Sequence, residues 1–203
     1  MYFLFLISLL GLLFILPLYF LSLEHIKLQE KYGIKKGEKF GEILGMISGW
    51  GFFLFLIGIW VSPQEKFIFP MLENEIIFII DNFSVPLIHL MIFLILILPT
   101  LWISLIGVKD VSLKVAETHR TEKIITSGLY SRIRHPQYLG AFLAHVSITF
   151  LFSGLFSLLL SPVIIIYIYV ISKKEEKELL KEFKEDYSSY MKKVPMFFPH
   201  LTK

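Results

Sequence analysis

The chain has no cysteine among its 203 residues. Disulfides and thiolate metal sites are therefore excluded, and the redox state of its compartment leaves no trace in the sequence. Charge is scarce as well. Asp, Glu, Lys and Arg make up 18% of the chain against 55% hydrophobic residues, and the mean hydropathy is +0.69. A soluble domain of this length could not hide so much apolar surface, so most of it must face lipid or neighbouring spans. The apolar run 1–23 lacks a basic leading segment and a small-residue cleavage site. It also passes twenty residues, which fits a retained transmembrane helix better than a removed signal peptide. No internal repeat is apparent, which weakens a transporter built from inverted halves. The net charge is only +3 and no nucleic-acid partner is expected.

What is present in quantity is apolar length. Long hydrophobic stretches run from Met1 to Leu23, from about Ile43 to Val61, within Phe83 to Val108, and from Tyr138 to Ile171. The last has 34 residues. As one helix it would reach about 50 Å, too long for a single crossing of a hydrocarbon core roughly 30 Å thick. Ser153-Gly154 and Ser161-Pro162 supply turn chemistry near its middle, so it reads as a tight hairpin of two short helices. The fold class expected is an all-α membrane protein of about five transmembrane helices. Residues 1–108 form three spans, and 109–203 form a functional region of loop, hairpin 138–171 and tail.

The 24–42 loop holds five Lys, the 109–137 loop six Lys or Arg, and the tail from Ser172 eight, together 19 of the 20 basic residues. The 62–82 loop has only Lys66, against Glu65, Glu73, Glu75 and Asp81. The positive-inside bias places the three basic segments in the cytoplasm and the N-terminus outside, which needs an odd number of spans. Within the spans, His89 and His145 are the strongly ionisable groups; each reads either as a neutral histidine hydrogen-bonded between helices or as part of a pocket lining. Trp50, Trp60 and Trp102 read as interfacial or packing aromatics.

Chemistry is expected at the cytoplasmic surface, where Arg132, Arg134 and His135 stand directly before Pro136-Gln137-Tyr138. Arginine at a membrane boundary can simply snorkel, and proline commonly opens a helix. If Pro136 is the first helical residue, however, the free backbone N–H groups of that helix end also favour an anion. Residues 117–130 read as a loop in which Ile124-Ile125 forms a hydrophobic island, either a surface anchor or a wall for a flat ring. From Lys173 the tail reads as an amphipathic helix, with Glu175, Leu179, Phe183 and Tyr187 recurring every fourth residue. Glu175 sits on the apolar stripe, where a carboxylate needs a cationic partner: an arginine or a bound cation. Pro195 and Pro199 end the helix.

Thr126-Ser127-Gly128-Leu129-Tyr130, then Arg134-His135-Pro136-Gln137-Tyr138 and Gly140, followed by Glu175-Glu176, Leu179, Phe183, Tyr187, Tyr190 and Pro195, resembles the integral membrane methyltransferases. These include the isoprenylcysteine carboxyl methyltransferases and the phospholipid methyltransferases. The resemblance covers roughly residues 100 to 200. It implies S-adenosylmethionine as cofactor, bound on the cytoplasmic side in a site closed by the C-terminal helix. Carried over by position, it implies cofactor-binding roles for Glu122, Lys123, Ile124, Ile125, Tyr130, His135, Pro136, Gln137, Tyr138 and Glu175, with Glu175 facing the ammonium group. No metal is implied. Two positions depart from the pattern. Lys184 stands where the family often has glycine, and Ile171 stands where some carboxyl methyltransferases carry an arginine that orients substrate. The acceptor is therefore left as a lipophilic acid or a lipid amine that enters from the bilayer.

The reaction implied is direct displacement, which depends on positioning and on excluding water. Catalytic roles fall on His135, Arg134 and Glu176, with His135 or Glu176 as the base for an amine acceptor. Two other classes fit less well: a nicotinamide-dependent membrane lipid reductase, in which asparagine would be expected at Gln137, and a non-catalytic membrane scaffold.

Overall fold

The computed structural model describes residues 2–69, 76–80, 83–112, 115–116 and 123–199. Among these residues six α-helices and one β-hairpin follow one another: α1 (Phe3–Ser22), α2 (His25–Tyr32), α3 (Ile34–Val61), β1 (Ile76–Ile80), β2 (Phe83–Pro86), α4 (Leu87–Val111), α5 (Pro136–Phe152) and α6 (Leu155–Lys193). A 3-10 turn, Gly128–Ser131, precedes α5. Helices α1, α3, α4 and α6 are long and apolar enough to cross a membrane, and α5 is a shorter apolar helix of 17 residues. This is an all-α multi-pass membrane protein with one small hairpin.

The outward face is apolar. Phe3, Leu10, Phe14, Leu54, Leu98 and Leu105 are all exposed, as lipid-facing residues should be. On α1 the buried residues Ser8, Leu12, Ile15, Tyr19 and Ser22 recur at helical spacing and form one stripe against α3. Small residues let the two backbones approach, as is usual where lipid and side chain are equally apolar. A Cβ added at Gly51 would lie 2.7 Å from Ile15 Cδ1, and one at Gly58 would collide with Ser8 Oγ. Leu12 and Ile15 join Phe52, Leu56 and Ile59 of α3 and Ile164 and Ile168 of α6 in the main apolar core.

Three expectations need correction. The 24–42 segment is helical, because α2 fills 25–32 and α3 begins at Ile34 rather than near Ile43. Gly33, with φ +82, makes the break between them. Lys35, Lys36, Glu38, Lys39 and Glu42 are good helix formers, so α3 extends past its apolar part. In the 62–82 segment, β1 pairs antiparallel with β2, with Ile77 opposite Val85; β-branched Ile and Val suit a pleated pair. The hairpin of α5 and α6 turns at Ser153-Gly154, Ser153 being left-handed at φ +53. Pro162 lies inside α6 and makes no turn, and α6 continues without interruption through Lys173 into the tail. Its one break is Lys184, at φ 46 and ψ −118.

At the far end of the bundle from the tail, Phe67 N donates to Ser153 O and Leu155 N to Glu65 O, each at 2.9 Å, which ties the 62–69 segment to the hairpin turn. The two histidines within the apolar spans, His89 and His145, belong to this end. His89 Nδ1 lies 2.8 Å from Ser153 Oγ, while Trp60 Nε1 donates to His145 Nδ1 at 3.1 Å. Both are interhelical polar links. At the other end, Lys174 Nζ bonds Glu24 Oε1 at 2.7 Å, and bonds from Lys174 and Lys27 hold the Glu24 carboxyl below its ordinary pKa.

Candidate functional site

The site forms where α4, the 3-10 turn, the start of α5 and the tail of α6 converge. Asp110, at the end of α4, accepts a hydrogen bond from Leu129 N at 2.8 Å and anchors the turn. Gly128 at the head of the turn has φ +59, and a Cβ there would run into the Asp110 carboxylate. Glycine is therefore required on two grounds. The turn presents Tyr130, whose carbonyl accepts from the Tyr190 hydroxyl at 2.6 Å.

Pro136 is the first residue of α5, as expected, and His135 is its N-cap. The backbone just before it pairs with the end of the chain: Arg134 N donates to Pro195 O at 2.9 Å and His135 N to Met196 O at 3.1 Å. The buried Arg134 side chain strengthens the same link. Its Nε donates to Glu176 Oε1 at 2.6 Å, and its Nη1 donates to Met191 O and Val194 O. His135 Nε2 lies 3.3 Å from that same Glu176 oxygen, and its ring stacks on Tyr138 with centroids 5.4 Å apart.

Glu176 is thus the chain's own anion beside the start of α5. Burial raises its carboxyl pKa, but bonds from His135 and Arg134 outweigh that and hold it below the ordinary value. A carboxylate kept ionised in this way suits positioning better than proton removal.

Glu175 is different. Among the described residues no arginine pairs with it, and Arg134 is taken by Glu176. Its Oε2 lies 3.6 Å from His135 Nδ1, is buried, and has no hydrogen-bond partner among the described residues. It faces a narrow cleft of about 90 Å³ whose walls include Ile124, Ile125, Tyr130, Gln137, Tyr138, Leu179, Tyr187 and Tyr190. Burial and the Glu175 charge both push the hydroxyl pKa values of Tyr130 and Tyr187 far above the usual range. Tyr190, raised chiefly by burial, titrates at about 12. All three are neutral hydroxyls at physiological pH.

Most of the expected residues meet here. Ile124, Ile125, Tyr130, Arg134, His135, Gln137, Tyr138 and Glu175 line the cleft. Pro136 and Glu176 stand behind it, Lys123 is not among the lining side chains, and Glu122 lies outside the described residues. Leu179, Tyr187 and Tyr190 were read as packing residues. They do pack, with Tyr187, Tyr190 and Val194 forming a small core against Ile124, but they also wall the cleft. The signal was available, since Glu175, Leu179 and Tyr187 share one face of the helix. A carboxylate heading an otherwise apolar stripe marks the stripe as facing a ligand.

A second, larger cavity of about 310 Å³ lies inside the bundle. Gln137 and Tyr138 line both spaces. Its other walls come from α1, α3, α4, α5 and α6 and from Ala116, between α4 and α5. His89 and His145 line neither.

Residues 87–181 match the Isoprenylcysteine carboxyl methyltransferase (ICMT) family. The chain is also 34% identical, over 100 residues, to a methanethiol S-methyltransferase of Crocosphaera subtropica (strain ATCC 51142 / BH68). That match covers 49% of this chain and 38% of the relative, so well under half of the relative's length is represented. Both matches fall on a segment of the chain; the family match includes α4, α5 and the apolar part of α6.

Proposed function

We propose that this membrane protein, whose residues 87–181 match the isoprenylcysteine carboxyl methyltransferase family, transfers a methyl group from S-adenosylmethionine to a lipophilic acceptor. The observation that carries this reading is Glu175 Oε2, a buried carboxylate oxygen without a hydrogen-bond partner at the head of an apolar, tyrosine-lined cleft. Such an oxygen calls for a cation, and the amino group of an amino-acid moiety is one. The rest of the cleft suits the same molecule. Ile124, Ile125 and Tyr130 offer apolar and aromatic surface for a purine, and Gln137 and the tyrosine hydroxyls offer hydrogen bonds.

The cofactor supplies an electrophilic methyl on a sulfonium; the protein supplies everything else. Glu175 fixes the ammonium end. His135, stacked on Tyr138 and held by Glu176, keeps the wall beside it rigid. Arg134 and Glu176 act as positioning residues: they clamp the tail over the start of α5 and so bring Tyr187 and Tyr190 to the cleft. Bringing the acceptor and the methyl into line while excluding water supplies several kcal/mol of barrier lowering. The excess of Lys and Arg in the segments at this end of the bundle favours a cytoplasmic position for it. The relative is named for S-methylation of methanethiol, which adds sulfur to oxygen and nitrogen as candidate accepting atoms.

Calorimetric titration of the purified protein with S-adenosylmethionine tests the reading, and NADPH serves as the control. A saturable heat is expected with the first and none with the second. Glu175→Gln should weaken binding about 10-fold or more, the worth of one charge-assisted hydrogen bond. Absence of binding by the unaltered protein would remove the reading.

A further inference from the structure

Helix α1 lies outside the matched segment 87–181, yet it reaches the cofactor cleft through Tyr19. Tyr19 stands in the last turn of α1, on its buried stripe. The ring packs in a small core with Leu23 and Ile171 and meets Tyr167 edge-on, with centroids 6.3 Å apart. Its hydroxyl donates to the Tyr138 hydroxyl at 3.1 Å. Tyr138 is the third residue of α5, and its ring lies 17° from parallel to the imidazole of His135. Two neighbours therefore hold Tyr138. His135 sets the plane of its ring, and Tyr19 holds its oxygen.

Buried tyrosines often satisfy one another, and that alone would give Tyr19 a packing role. The protons point further. Two hydroxyls carry two protons, and the bond between them uses one. Tyr138 lines the cleft with Glu175, and its hydroxyl interacts with that carboxylate. An ionised carboxylate only accepts, so the proton between Tyr138 and Glu175 comes from Tyr138. The proton between the two tyrosines must then come from Tyr19. A phenol has two in-plane settings for its proton, and a donor already seated on the α1 side leaves Tyr138 the setting that faces the cleft. Hydrogen bonds in such a chain polarise one another, so the last link, to the carboxylate, gains from the first.

We propose that Tyr19 is a positioning residue of the cofactor site: by donating to Tyr138 it turns the Tyr138 hydroxyl toward Glu175 and so fixes the carboxylate that receives the ammonium group. The proposal rests on the methyltransferase reading and extends its site into α1. Tyr19 is not among the residues that line the cleft, so it acts through Tyr138. Its own place is set by the bundle. Leu12 and Ile15, on the same stripe of α1, share the main apolar core with Ile164 and Ile168 of α6. The tyrosine and the glutamate are thus carried on two helices of one packed unit. A partner of this kind behind a contacting residue holds the contact in register. Meanwhile Glu175 Oε2 keeps no hydrogen-bond partner among the described residues, which leaves it to the ligand.

The test reads binding by calorimetric titration of the full-length protein in phosphatidylcholine nanodiscs. Tyr19→Phe keeps the ring and its edge contact with Tyr167 and removes only the hydroxyl. It should weaken S-adenosylmethionine binding about 3- to 10-fold, the worth of one hydrogen bond between neutral groups. In a Tyr138→Phe background the same change should alter binding less than about 2-fold, because Tyr19 then has no oxygen to act through. Loosened packing would instead cost the same factor in both backgrounds. A second ligand isolates the ammonium end. 5′-Methylthioadenosine carries the nucleoside and a thioether but no amino-acid group, and Tyr19→Phe should leave its affinity within about 2-fold of the parent's. Unchanged S-adenosylmethionine affinity in Tyr19→Phe, equal losses in the two backgrounds, or equal weakening of both ligands would each overturn the proposal. Failure of the unaltered protein to bind S-adenosylmethionine would instead overturn the methyltransferase reading, which the other three outcomes leave standing.

Discussion

Lys184 offers a sharp test of how the tail is shaped. Its φ of 46 and ψ of −118 lie in a region that glycine enters freely and side-chain-bearing residues enter under strain. The lysine side chain is exposed, so replacing it removes no buried packing. Relief of strain should contribute about 1–3 kcal/mol in Lys184→Gly. Against that stands the extra freedom of glycine in the unfolded chain, about 0.5–1 kcal/mol. A net gain of about 0.5–2 kcal/mol remains, roughly a 2- to 30-fold rise in hydrogen-exchange protection of the amides in 185–194. Those amides are the right reporters because Tyr187, Tyr190 and Val194 form their own small core beyond the break. Lys184→Ala keeps the strained backbone and should stay within about 0.5 kcal/mol of the parent. Lys184→Pro cannot adopt a positive φ and should lose the tail's protection and, with it, the Tyr187 and Tyr190 wall of the cleft. If alanine stabilised as much as glycine, the effect would come from removing a charge and the backbone argument would fail. If glycine destabilised, the turn would not use a positive φ at all.

Two further outcomes follow from the clamp and the turn. The depressed pKa of Glu176 means the folded protein binds its proton more weakly than the unfolded chain does. The carboxylate's stabilisation is therefore fully present above the ordinary carboxylate pKa and lost as pH falls from there through the lowered value. Proteolytic susceptibility of the tail should rise over that acid range, whereas Glu176→Gln should be susceptible already at neutral pH and show a flatter profile. Gly128→Ala forces a side chain into a positive φ and against Asp110, so it should destabilise the turn by about 1–3 kcal/mol, seen as faster exchange at Leu129 and Tyr130.

The parts of the fold that were legible follow from hydrocarbon thickness. The stretch 138–171 was too long for one crossing, and Ser153-Gly154 marked its turn. The start of α3 was hidden because hydropathy marks where a helix meets lipid, while the lysines and glutamates of 35–42 continue the helix beyond it. The β1–β2 pair was hidden because a run as short as Ile76–Ile80 carries no span signal and its partner lies at the entrance to α4. In the site, Arg134 and Glu176 were read as catalytic groups, but charge pattern alone could not show which glutamate the arginine would take. That choice depends on α6 running unbroken from the membrane into the tail, which rotates Glu176 toward Arg134 and leaves Glu175 toward the cleft. Lys184 was visible only as a departure, since a residue's identity does not reveal its φ.

The pairing of Arg134 and His135 with the carbonyls of Pro195 and Met196 also has a consequence for biosynthesis. Among the described residues, every helix long and apolar enough to cross a bilayer is synthesised before residue 195, whereas the strap against the start of α5 forms only once residues 195 and 196 arrive. The spans can be threaded into the membrane and packed first, and residues 195 and 196 then latch onto the start of α5. A chain cut before residue 195 would keep its spans and lose that latch.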